Sequence, residues 1–103
     1  MDYEGLIIEF IDVNPEGEIR DAIHLIGEGI RQLAPSDASV TFVIRGGRNL
    51  ARASCRIVSL AGVFICEAIG ATPLHAFKLI EHQMKQKLEL WKKRRVLDFA
   101  KAS

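Results

Sequence analysis

The stretch from Thr72 to Arg95 constrains this chain more than any other. Thr72-Pro73 places a capping hydroxyl directly before a residue whose φ is already helical, a pairing that starts helices. Leu74, Phe77, Ile80, Met84, Leu88 and Trp91 then recur at spacings of three and four, which puts them on one apolar stripe. Glu81–Lys85 and Glu89–Lys93 are i,i+4 pairs in the favourable order. At the usual rise per residue such a helix reaches roughly 30 Å or more, long for a chain of 103 residues. Part of its stripe is therefore expected to meet a partner chain. It ends in Lys92-Lys93-Arg94-Arg95 beside Trp91. That cluster suits phosphate contacts, although a charge run of this kind also occurs as a plain solvated surface.

The remaining residues must supply what this helix packs on. Leu6-Ile7-Ile8-Glu9-Phe10-Ile11 is a nearly continuous apolar run and predicts a central strand covered on both faces, with Glu9 partly exposed at its edge. Asn14-Pro15 reads as a cap and first helical residue, followed by Ile19, Ile23, Ile26, Ile30 and Leu33 at helical spacing. Gly27 and Gly29 within it are candidates for close packing. Val40-Thr41-Phe42-Val43-Ile44 predicts a second strand. A second helix is predicted from Arg48, with Leu50, Ala53, Ser54, Ile57, Leu60 and Ala61 inside and Gly62 as its C-cap. Val63 to Ile69, with a glycine at each end, predicts a third strand. The order is β-α-β-α-β-α, an α/β domain.

Chemistry is concentrated where the second strand ends, at Arg45-Gly46-Gly47-Arg48. Adjacent glycines permit positive φ or a close approach of backbone to ligand, and a helix starting there would offer unpaired N–H groups to an anion. Arg48, Arg52 and Arg56 recur every fourth residue and form one stripe on such a helix. A tight turn followed by a solvated helix face explains the same residues without a ligand.

Charge supports a division of labour along the chain. The formal net charge is +1, yet residues 1–37 carry nine acids against Arg20 and Arg31. Residues 78–103 carry eight Lys or Arg against Glu81, Glu89 and Asp98. This asymmetry concerns partners and association rather than fold. Cys55 and Cys66 lack a C-x-x-C spacing, and His75 and His82 have no ligand-spaced companion, so no metal site or cofactor is expected. No nucleophile–base pair or coupled carboxylates stand at recognisable spacing, so the chain is not expected to be an enzyme. No apolar run approaches membrane-spanning length, and Met1-Asp2-Tyr3-Glu4 lacks the basic start of a secretion signal. A cytoplasmic location, with no membrane partner, is expected.

Ile44-Arg45-Gly46-Gly47-Arg48-Asn49-Leu50-Ala51-Arg52-Ala53 resembles the strand-end and helix-start signature of the Alba superfamily, which contains archaeal chromatin proteins and subunits of RNase P and RNase MRP. The resemblance implies an Alba-like β-α-β-α-β core over residues 1–72. The helix of residues 73–103 would belong to the same domain and replace the family's final hairpin. It also implies a homodimer or heterodimer, with a homodimer expected, that holds DNA or RNA through backbone contacts from Arg45, Arg48 and Arg52 with little sequence preference. Asp12-Val13-Asn14-Pro15-Glu16 is acidic where the family uses lysine.

Three functions follow in order of preference. The first is a nucleic-acid-binding module using Arg45, Gly46, Gly47, Arg48, Arg52 and Arg56 together with Lys92, Lys93, Arg94 and Arg95. The second is an assembly protein using the C-terminal helix. The third is a small phosphate-ligand domain, the least favoured because neither G-x-G-x-x-G nor a P-loop is present.

Overall fold

In the computed structural model, residues 5–102 are described, with side chains described for residues 5–96; residues 1–4, which bear on the secretion signal, lie outside this range. The elements are β1 (Leu6–Ile11), α1 (Gly17–Leu33), β2 (Ser39–Gly47), β3 (Leu50–Ser59), β4 (Gly62–Gly70) and α2 (Pro73–Ala102). The fold is mixed α/β, with one four-stranded sheet in the order β1-β2-β3-β4. β1 lies parallel to β2, and the β2–β3 and β3–β4 pairs are antiparallel.

The predicted second helix is strand β3, so the order is β-α-β-β-β-α rather than β-α-β-α-β-α. Ala51, Ala53, Cys55 and Ile57 are buried, while at the alternate positions Arg52, Arg56 and Val58 are exposed and Ser54 is half-buried, an alternation of period two. Alanine and arginine favour helices in isolation. Here β2 and β4 pair with both edges of the segment, and tertiary pairing overrides propensity. Leu60, expected inside, sits in the β3–β4 turn and is 96% exposed. Gly62 is no helix cap. Its φ of 135° opens β4 after that turn, a conformation that suits glycine.

β1 is an edge strand, not a central one. Both helices lie over the face formed by Val40, Phe42 and Ile44 of β2, Ala53, Cys55 and Ile57 of β3, and Cys66 and Ala68 of β4. The small residues of β3 and β4 let α2 approach closely, and Phe77, Ile80, Met84 and Leu88 fill the space between. The Phe42 and Phe77 rings stand 4.7 Å apart. The stripe predicted for α2 is thus mostly buried within its own chain. Gly27 does pack closely: a Cβ there would lie 3.0 Å from Ile8 Cδ1 and 3.4 Å from Phe42 Cε2, whereas nothing lies within 4 Å at Gly29.

The α2 start is as the sequence predicted, with the Thr72 hydroxyl accepting the His75 N–H at 3.1 Å. α1 begins two residues later than expected, with Glu16 as its N-cap. Asn14 instead accepts a 2.8 Å hydrogen bond from Arg20 through its side-chain oxygen. α2 starts level with the β2–β3 turn and runs back along β4. Its 30 residues span about 45 Å, whereas the 9 residues of β4 span about 30 Å. The C-terminal part of α2 therefore overhangs the sheet at the β3–β4 turn.

Candidate nucleic-acid interface

The basic residues singled out in the sequence fall into two separate zones. Arg45 lies directly opposite Arg52 on β2 and β3, and both are exposed. Arg56 follows on the same face, opposite Thr41. This is the sheet face that neither helix covers. A spacing of four keeps residues on one side under both the helical and the strand period, so Arg52 and Arg56 still share a face although the element is a strand. They stand about 13 Å apart along it rather than one helical turn apart. Arg48 lies in the two-residue β2–β3 turn with Asn49, whose φ of 55° is in the left-handed region that asparagine tolerates.

No helix begins at Arg45–Arg48, so the expected anion site of helical N–H groups is not formed. Gly46 has a packing reason. Gly46, Ala51 and Gly70 form one row across the helix-facing side of the sheet. A Cβ at Gly46 would run into the Asp12 carbonyl and lie 2.9 Å from Val13 Cβ, where the chain leaves β1 for α1. A Cβ at Gly70 would lie 2.6 Å from Ala76 N in the first turn of α2. The backbone that comes close to these glycines is the chain's own.

The uncovered sheet face is aliphatic as much as basic. Ile7, Val58, Val63, Ile65 and Ile69 are 42–55% exposed there, and Glu9 and Glu67 are exposed beside the arginines. At the β4 edge Lys87 donates from Nζ to the Ile65 carbonyl at 2.7 Å. A cation on an edge strand hinders pairing with another strand.

The second zone is the far end of α2. Its described part, residues 73–96, carries seven Lys or Arg against Glu81 and Glu89. Lys78, Lys85 and Lys92, at seven-residue spacing, fall along one side of the helix, and Lys87 and Arg94 fall along another. Lys85 pairs with Glu81 at 3.1 Å. Lys92 to Arg95, being consecutive, point around most of the helix circumference. Lys92 and Arg95 face a cleft against the end of α1, and Arg94 faces the β3–β4 turn. Trp91 stands between them, edge-on to Phe64 with centroids 6.0 Å apart, and the Arg95 guanidinium lies 5.7 Å from its ring centre. This zone lies in the opposite layer from the arginine face, and at the opposite end of the sheet from Arg45 and Arg52.

Cys55 and Cys66 are cross-strand partners on β3 and β4, and both are buried free thiols. Burial, with a smaller contribution from Cys66, pushes the Cys55 thiol up to about 12. Burial also raises Cys66, opposed by the Lys87 charge. Both stay protonated and unreactive at neutral pH. Among the described residues no helix is long and apolar enough to cross a membrane.

With a β-α-β-β-β-α chain and a basic overhanging helix, the molecule belongs to a class of two-layer α/β domains with one open sheet face. Among solved structures it is similar to a ribosomal subunit interface protein from Coxiella burnetii, with a TM-score of 0.69 and 10% identity over 85% of this chain and 97% of that one. It is also similar to the N-terminal domain of Protein Y from Thermus thermophilus, with a TM-score of 0.56 and 17% identity over 78% of this chain and 93% of that one. No family model and no curated protein matches the sequence. These likenesses establish the fold, and they correct the Alba resemblance. The ten residues that carried it span a β2–β3 hairpin, not a strand followed by a helix.

Proposed function

We propose that this protein binds RNA, in the setting of the ribosome, through the basic C-terminal half of α2, and that it acts by binding rather than by catalysis. The observation that carries this reading is the charge of that helix, seven cations against two acids in its described part, with Lys92 to Arg95 at the end that overhangs the sheet. Release of counterions from phosphates scales with the number of cations engaged. The sheet face, with three arginines set among Glu9, Glu67 and aliphatics, has less to offer. The two structural neighbours support the choice of RNA, since one is named for the ribosomal subunit interface. A cytoplasmic location accords with that setting.

The test is an anisotropy titration of labelled ribosomal RNA fragments at two salt concentrations. With four phosphates engaged, affinity falls about a hundredfold between 50 and 200 mM salt. Lys92→Glu with Arg94→Glu weakens binding and flattens the salt slope by about 0.7–0.9 for each phosphate no longer neutralised, while Arg45→Glu with Arg52→Glu leaves both nearly unchanged. Binding that ignores salt, or that is abolished only by changing the sheet arginines, would overturn the assignment. A second reading, association through the open sheet face as a dimer, is favoured by the half-exposed aliphatics there. A monomer at high concentration in sedimentation equilibrium would remove it.

A further inference from the structure

The cleft beside Trp91 has features that backbone binding does not use. Its larger part, about 930 Å³, opens between the end of α1 and the overhang of α2 and is lined by Leu33, Ala34, Pro35, Trp91, Lys92 and Arg95 among others. A smaller part, about 630 Å³, continues past Trp91 toward Asp37, Ala61 and Arg94. The indole is thus a partly exposed wall between two openings, with apolar side chains across from it and cations at its rim. Asp37 is the acid in this lining, and its Oδ2 already accepts the Leu60 N–H at 2.8 Å. The site therefore presents a flat aromatic surface, an apolar back and an excess of positive charge. A nucleotide has the matching parts: a flat base, a sugar and an anionic phosphate.

We infer that this cleft receives one unpaired nucleobase of a single-stranded RNA segment, stacked on Trp91, with its flanking phosphates held by Lys92, Arg94 and Arg95. The Arg95 guanidinium, 5.7 Å from the ring centre, shows that a flat cation already reaches the indole. A base stacking there takes its place and releases the guanidinium to a phosphate. Gln32 and Ser36 at the cleft supply polar groups for a base edge. A base within a duplex is paired and stacked and cannot enter, so the cleft distinguishes single strands and bulges from helices.

This inference rests on the RNA reading above, and one experiment separates the two. Trp91 is the single tryptophan of the chain, so its emission reports on this site alone. Unlabelled oligo(rA) and an RNA duplex of equal length are titrated against the full chain, with labelled copies followed by anisotropy. The expected result is strong quenching by the single strand, with the same midpoint as its anisotropy curve, and none by the duplex. Trp91→Leu, checked for retained helix by circular dichroism, weakens oligo(rA) binding about five- to a hundredfold and leaves duplex binding unchanged. Arg95→Ala, which leaves the indole in place and removes a phosphate contact, gives a smaller loss shared by both RNAs. Single-strand binding without quenching, or equal loss for both RNAs in Trp91→Leu, overturns the stacking site and leaves RNA binding standing. Failure of both RNAs to bind overturns both.

Discussion

Gly46, where the sequence suggests an anion site, is the clearest case of one residue type serving a different purpose. Paired glycines announce that something comes close, but not what. Here the visitor is the Asp12–Val13 backbone leaving β1, brought over the sheet by the crossover into α1. Gly29, in the middle of α1, has open space where a Cβ would stand. The two positions should therefore respond in opposite directions to the same change. Gly46→Ala forces a shift of packed backbone and is expected to destabilise by about 1–3 kcal/mol. Gly29→Ala removes a helix-interior glycine and is expected to stabilise by about 0.5–1 kcal/mol. Urea denaturation of the two variants reads both, and a neutral Gly46→Ala would show that the β1 exit is not packed on this row.

β3 is the element that the sequence conceals. Its inward residues are Ala51, Ala53, Cys55 and Ile57, of which only Ile57 is a strong strand former. Small residues suit this strand because α2 lies directly on it, a requirement that exists only once the helix is in place. α2 itself is legible because its cap, proline and stripe are local signals that tertiary context does not contradict. The four-residue arginine spacing is legible as a shared face but not as a strand, because both periods satisfy it. The basic C-terminal cluster is visible in the sequence. The cleft beside Trp91 is not, since its other wall comes from residues 32–36, far away along the chain. The helical pattern of β3 also hides the cross-strand pair Arg45–Arg52, two like charges directly opposite each other. Arg52→Glu makes this an attractive pair and is expected to raise stability by about 0.2–1 kcal/mol, read as a higher urea midpoint at low salt that converges on the parent at high salt. A lower midpoint at both salts would show that the arginines are held by other interactions.

At the scale of the whole molecule, the sheet divides the surface into unlike halves. One side is a flat face of aliphatics with three arginines and two glutamates, and its β4 edge is occupied by Lys87. The other bears the helices, with acids concentrated in the N-terminal third and cations on α2. A surface that met nucleic acid across its whole extent would not place acidic residues 12, 16, 18 and 21 at the start of α1. Placing them at the opposite end from Lys92–Arg95 confines the favourable field to the overhang and would give an RNA one direction of approach. This overhang, and not the arginine face, is the proposed RNA-binding surface. The most direct measurement is a titration of isotopically labelled protein with a ribosomal RNA fragment, followed by amide and indole chemical shifts in NMR. The expected perturbations fall in residues 85–96, the Trp91 indole N–H and residues 32–37, with Arg45, Arg52 and Arg56 unmoved. Perturbations centred on β2 and β3, with the end of α2 silent, would contradict this assignment.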